Sequence, residues 1–129
     1  MVALMRFHRD RTQVAVTLSD ETLTVIDTIM TGDRDSLSIQ LANAGNVLDK
    51  FEVAGQVVVN GTFEVLFNAA ADFTSPAGIL IGASGDLTIL ADAATGWLLL
   101  YPKGFYGLRI RAARAAGANT ILTMNSGGS

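Results

Sequence analysis

Residues 96–123, GWLLLYPKGFYGLRIRAARAAGANTILT, hold the densest apolar run of the chain and the plainest record of a sheet. We read three strands in it, Trp97 to Tyr101, Phe105 to Ala112 and Thr120 to Met124. In the middle one Tyr106, Leu108, Ile110 and Ala112 share one parity, and Gly107, Arg109 and Arg111 share the other. Side chains alternate across a strand, so this spacing predicts one face turned to a core and two guanidiniums turned outward. The first strand is apolar on both parities, which predicts that it is covered on both faces, by a second sheet or by a neighbouring subunit.

Working outward, the same alternation recurs. Val14, Val16 and Leu18 alternate with polar or small residues, and Ser19-Asp20-Glu21 then supplies turn chemistry before Leu23 and Val25, which reads as a first hairpin. Leu37, Ile39 and Leu41 form another half-buried strand, closed by Asn43-Ala44-Gly45-Asn46, whose residue types tolerate positive φ. Phe51, Val53, Val57 and Val59 face Phe63, Val65 and Phe67 across Asn60-Gly61. A three-residue loop with Gly61 in the left-handed region would pair Val53 with Phe67 and Val57 with Phe63 on one face. Ile79-Leu80-Ile81 and Leu87 to Leu90 read as short strands. Ala112 to Ala118 contains strong helix formers but is too short to stand alone, and it is read as a strand end followed by a loop. About nine short strands with turns between them predict an antiparallel β-sandwich, Ig-like or jelly-roll, with a partly open barrel as the alternative. The expected organisation is an N-terminal arm over residues 1–12, the sandwich over 13–124 and a flexible tail over 125–129.

Composition bounds the function. A chain of 129 residues has room for one core. Only 16% of its residues are charged, so much of the surface must be neutral, and neutral surface is suited to being covered by partners. The formal net charge of −3 disfavours direct nucleic-acid binding, which needs clustered cations to displace counterions. There is no cysteine, hence no disulfide and no thiolate chemistry. Residues 1–13 lack an apolar segment of signal-peptide length and no run of 18 apolar residues occurs, which predicts folding in the cytoplasm and no membrane partner. Arg6, His8, Arg9 and Arg11 make the N-terminus the basic end of an acidic chain: either an arm reaching a neighbouring subunit or a solvated terminus.

No motif for catalysis is present, and the one histidine, His8, has no companion at metal-ligand spacing. Asp33 and Asp35 are two apart, but Arg34 between them opposes a calcium site. Glu52, Glu64 and Asp72 offer a paired-carboxylate reading, yet both glutamates fall on the solvent parity, where the expected role is a solvated face. No cofactor is expected. Arg109 and Arg111, on one strand face, join the four N-terminal residues as the candidate interface. Trp97, Tyr101 and Tyr106 sit inside apolar strands, where a core role is expected rather than the exposed aromatics of a carbohydrate-binding module.

Three stretches, DSLSIQLANAGNVLDKFEV (35–53), DFTSPAGILIGASGDLTILADAATGWLLL (72–100) and FYGLRIRAARAAGANTILT (105–123), resemble small all-β virion proteins of tailed bacteriophages that decorate or cement the capsid or serve as accessory head or tail proteins. The resemblance spans roughly residues 35 to 124 and carries no catalytic or metal residue. It implies a non-enzymatic subunit, commonly a homo-oligomer, that binds the major capsid protein or another virion protein after assembly in the host cytoplasm. A tail or baseplate role, or a receptor- or carbohydrate-binding sandwich, is the alternative.

Overall fold

A computed structural model describes residues 12–31, 35–68, 79–83, 92–93, 95–102 and 104–128. They form nine strands: β1 (Thr12–Leu18), β2 (Thr24–Met30), β3 (Leu37–Ala44), β4 (Leu48–Gln56), β5 (Glu64–Asn68), β6 (Ile79–Ala83), β7 (Thr95–Leu100), β8 (Gly107–Arg114) and β9 (Thr120–Gly128). Among the described residues there is no helix, and so none long and apolar enough to cross a membrane. The strands build a five-stranded sheet, order β1-β9-β3-β7-β6, and a four-stranded sheet, order β2-β8-β4-β5. Every pairing is antiparallel.

The order reveals the wrapping. β1 pairs with β9, β2 with β8, β3 with β7 and β4 with β5, so the chain is one long hairpin rolled until its successive rungs alternate between two sheets. This is the jelly-roll form of the sandwich, which decides between the two topologies expected. It also corrects the first hairpin: β1 and β2 lie in different sheets, and the Ser19–Leu23 connection crosses between them. Within it the Thr22 N–H donates to Asp20 Oδ1 at 2.9 Å, a side-chain turn that redirects the backbone without a strand partner. Nor do residues 125–128 form a tail. β9 continues through them, pairing Asn125 with both Gln13 and Gln40.

The core lies between the sheets. Leu37, Ile39 and Leu41 of β3 and Leu108, Ile110 and Ala112 of β8 are buried, as their parity requires. Leu98 and Leu100 of β7 meet them from the first sheet, with Leu122 and Met124 of β9. On β2, Ile26 is a bulged residue between Val25 and Asp27, and the extra residue turns its side chain inward to the core. At its C-terminal end β8 stops at Arg114 and a loop follows, as expected.

At the β4–β5 connection the expected register holds near the strands and fails near the turn. Val53 does pair with Phe67, but β4 ends at Gln56, and Val57, Val58 and Val59 project into solvent with exposures of 65, 62 and 59%. The left-handed residue is Asn60 (φ 61°), not Gly61, and the Gly61 N–H closes the turn on the Val58 carbonyl at 2.9 Å. Positive φ at the third position of such a four-residue turn is the type II geometry. Gly61 is required for a different reason: a Cβ there would lie 2.9 Å from the Val58 carbonyl oxygen. Gly61→Ala should therefore destabilise by about 1 kcal/mol, whereas Thr62→Ala should change little, which paired urea titrations will measure.

Candidate functional site

The outer face of the four-stranded sheet carries the first cluster. Glu52 of β4 stands opposite Arg111 of β8, and its carboxylate accepts from Arg111 Nε and Nη2, each at 2.8 Å. Arg109 Nη2 is 3.7 Å from the same carboxylate, and its guanidinium lies 4.8 Å from the Phe63 ring centroid. The cation stacks on the negative face of the ring. Glu52 is only 3% exposed, which corrects the solvated-face reading: its parity does point outward, but the side chains of Arg109 and Arg111 close on it, and Phe63 packs on Arg109. Glu64 is exposed on β5, and Asp72, like Asp33, lies outside the described residues. Two arginines tied to one carboxylate form a structural clamp, and they leave that carboxylate almost no open solvent for a substrate.

Arg109 and Arg111 are thus brought together as expected, though as half-buried partners of Glu52 rather than two free cations. Arg6, His8, Arg9 and Arg11 lie outside the described residues. Next to the clamp, Gln56 Nε2 donates to the Gly61 carbonyl at 2.8 Å, fastening the β4–β5 loop back onto its sheet. The three valines are therefore presented on a turn tied down at its base.

The outer face of the five-stranded sheet carries a second feature. The ladder aligns Gln13 of β1, Asn125 of β9, Gln40 of β3 and Trp97 of β7 in one row across four strands. In the next row Gly127, Ser38 and Leu99 face the same way. The small residues Gly127 and Ser38 leave a hollow there, and a groove of about 790 Å³ runs along the face with no charged side chain among the described residues that line it. Trp97 is 47% exposed, and Tyr101 and Tyr106 are exposed too, which corrects their expected place in the core. For Trp97 and Tyr101 the reason is parity: on β7, Gly96, Leu98 and Leu100 turn inward, so Trp97, Leu99 and the following Tyr101 turn out, whereas Tyr106 lies just before β8, outside the strand whose alternation would have turned it in. The doubly apolar strand is covered by the second sheet on one side only. Trp97 shares its parity with Thr95, a polar neighbour that was the available signal; nothing local could have aligned it with three amides from distant strands.

The sequence matches no family model and no curated protein. Solved structures do share the fold. The SPBc2 prophage-derived protein YomS is 9% identical, with 92% of this chain and 95% of YomS aligned at a TM-score of 0.49. The PBSX exported protein XepA is 14% identical over 92% of this chain, which spans 38% of XepA, at a TM-score of 0.52. The CspB protease of Clostridium perfringens is 12% identical over 89% of this chain and 25% of its own, at a TM-score of 0.56. At such identities the likeness is one of fold alone, and in the CspB protease that fold is one segment of a larger protein.

Proposed function

We propose that this chain is a non-enzymatic structural subunit of a bacteriophage virion, a capsid decoration or cement protein that associates with its own copies and attaches to the assembled head. The observation that carries this reading is the Val57–Val59 turn: three consecutive branched apolar side chains, each more than half exposed, on a loop pinned by Gln56. Isolated exposed apolar residues are ordinary, but a contiguous apolar tip held in one conformation loses little entropy when a partner covers it. The low charge content and the resemblance of residues 35 to 124 to phage virion proteins point the same way. So does the fold shared with XepA, an exported protein. The basic residues before Thr12 add an arm for acidic patches on a neighbour.

The test is cosedimentation of the purified chain with undecorated capsids, and in parallel with tail assemblies, of a phage encoding it. Intact protein should pellet with the heads. Replacing Val57, Val58 and Val59 together by Ser should weaken that binding by about tenfold or more while leaving the circular dichroism unchanged. Removing residues 1–12 should weaken it and abolish its salt dependence. Pelleting with tails alone would move the subunit to the tail, and a strictly monomeric protein that pellets with neither assembly would end the structural-subunit reading.

A further inference from the structure

We propose that the groove on the five-stranded sheet is a binding site for a neutral oligosaccharide. The site does not depend on the virion role argued above.

Its chemistry is specific in three respects. First, Gln13, Asn125 and Gln40 stand side by side on β1, β9 and β3. Each amide presents a carbonyl acceptor and an NH₂ donor, so the row offers alternating hydrogen-bond partners to groups that both donate and accept, which is the character of sugar hydroxyls. With neighbouring strands about 4.8 Å apart, the row from Gln13 to Trp97 spans about 14 Å, which suits a short chain of rings better than a single one. Secondly, the row continues past the amides to Trp97, whose exposed indole supplies a flat apolar surface beside them. A pyranose ring is polar at its rim and apolar on its C–H face, and an amphipathic aromatic next to a row of amides matches both. Thirdly, none of the described residues that line the groove is charged. A phosphate, sulfate or carboxylate ligand would enter without a counter-charge and lose its hydration, whereas a neutral polyol would exchange water for amide partners one for one.

The hollow over Gly127 and Ser38 gives such a ligand its depth. Both residues belong to the row next to the amides and pair with each other across β9 and β3. Leu99 continues that row beside Trp97, so the β7 side of the groove is apolar and the β1–β9–β3 side is polar. This is the arrangement of ligand sites generally: an apolar contact for affinity and a few placed polar groups for orientation.

The chain contains one tryptophan, so its intrinsic fluorescence reports on Trp97 alone. The intact protein is applied to an array of neutral oligomers of glucose, galactose, mannose and N-acetylglucosamine, with sialylated and sulfated glycans alongside, and each positive oligomer is then titrated against the fluorescence. The expected result is saturable binding of at least one neutral oligomer, with a shift in tryptophan emission and little change between low and high salt. Trp97→Ala should lower affinity by about tenfold or more, measured by calorimetry because that variant has no fluorophore. Gln40→Ala and Asn125→Ala should each lower it by roughly three- to tenfold. Trp97→Phe keeps an aromatic face and should retain most of the binding, which separates loss of the site from loss of the fold. Absence of any neutral ligand, binding that Trp97→Ala leaves intact, or salt-sensitive binding of charged glycans only would each overturn the assignment. So would a self-associated state that buries Trp97, identified by its dissociation on Trp97→Ala without any glycan bound.

Discussion

Replacing Glu52 by Ala is expected to destabilise the protein by about 3 kcal/mol, a large part of the stability of a domain of this size. The carboxylate is buried and accepts both bonds of a bidentate arginine, with a second guanidinium 3.7 Å away. Without it, Arg109 and Arg111 face each other half-buried on adjacent outward positions of β8, two like charges with nothing between them. The loss is more than one ion pair, because it converts an attractive triad into a repulsive pair. Since both guanidiniums keep about a quarter of their exposure, solvent screens part of that repulsion, which holds the expected cost toward the low end of the range for buried pairs. Glu52→Gln keeps the shape but not the charge and should recover about half the loss. Arg111→Ala made together with Glu52→Ala should cost less than the sum of the single changes. Chemical denaturation of the four proteins measures the coupling directly, and additive effects would dissolve the triad as an energetic unit. Phe63→Ala should leave Glu52 paired yet loosen Arg109, for a smaller loss of about 1 kcal/mol.

Substitution of Gly45 by Ala is the second change of large expected effect, about 2–3 kcal/mol. Gly45 has φ +132°, a conformation side chains rarely adopt, and a Cβ there would lie 2.5 Å from the Asn119 carbonyl oxygen. Strain and collision act together, because the turn after β3 is pressed against the β8–β9 loop. The bonds explain the pressure. Asn46 Nδ2 donates to the Ala115 carbonyl at 3.0 Å and the Ala118 carbonyl at 2.8 Å, while its Oδ1 accepts from the Val47 N–H at 2.7 Å. Thr120 donates to Asn43 Oδ1 at 2.5 Å and accepts from the Asn46 N–H at 3.1 Å. One asparagine therefore satisfies two carbonyls of a loop that has no ladder to pair with. Asn46→Ala should cost about 2 kcal/mol by leaving them unmet, and Asn46→Asp, which keeps the acceptor and loses both donors, should be nearly as damaging. Thermal melts compared with Ala44→Ser, an exposed neighbour expected to be silent, test whether this junction holds the end of the sandwich together.

What the residues determined alone was the strand content and the inward set. On β3 and β8 the alternation of Leu37, Ile39 and Leu41, and of Leu108, Ile110 and Ala112, assigned the core side correctly, because a period of two allows no other placement once one face is buried. The pairing of Val53 with Phe67 was legible too, from the matching apolar alternation on either side of Asn60-Gly61, although a bulge after Val53 shifts the register nearer the turn. The partners of β1, β2 and β3 were not: β1 pairs with β9 and β2 with β8 across most of the chain, and a strand carries a record of its own faces but none of its distant neighbour. That same limit hid the sites. Glu52 had an outward parity that Arg109 and Arg111, on another strand, turn into burial. Trp97 lay in a strand apolar on both parities, so its outward face was settled by which side the second sheet covered. Gln13, Gln40 and Asn125 are three unremarkable amides in sequence, and they become a row only where antiparallel pairing lays β1, β9 and β3 side by side.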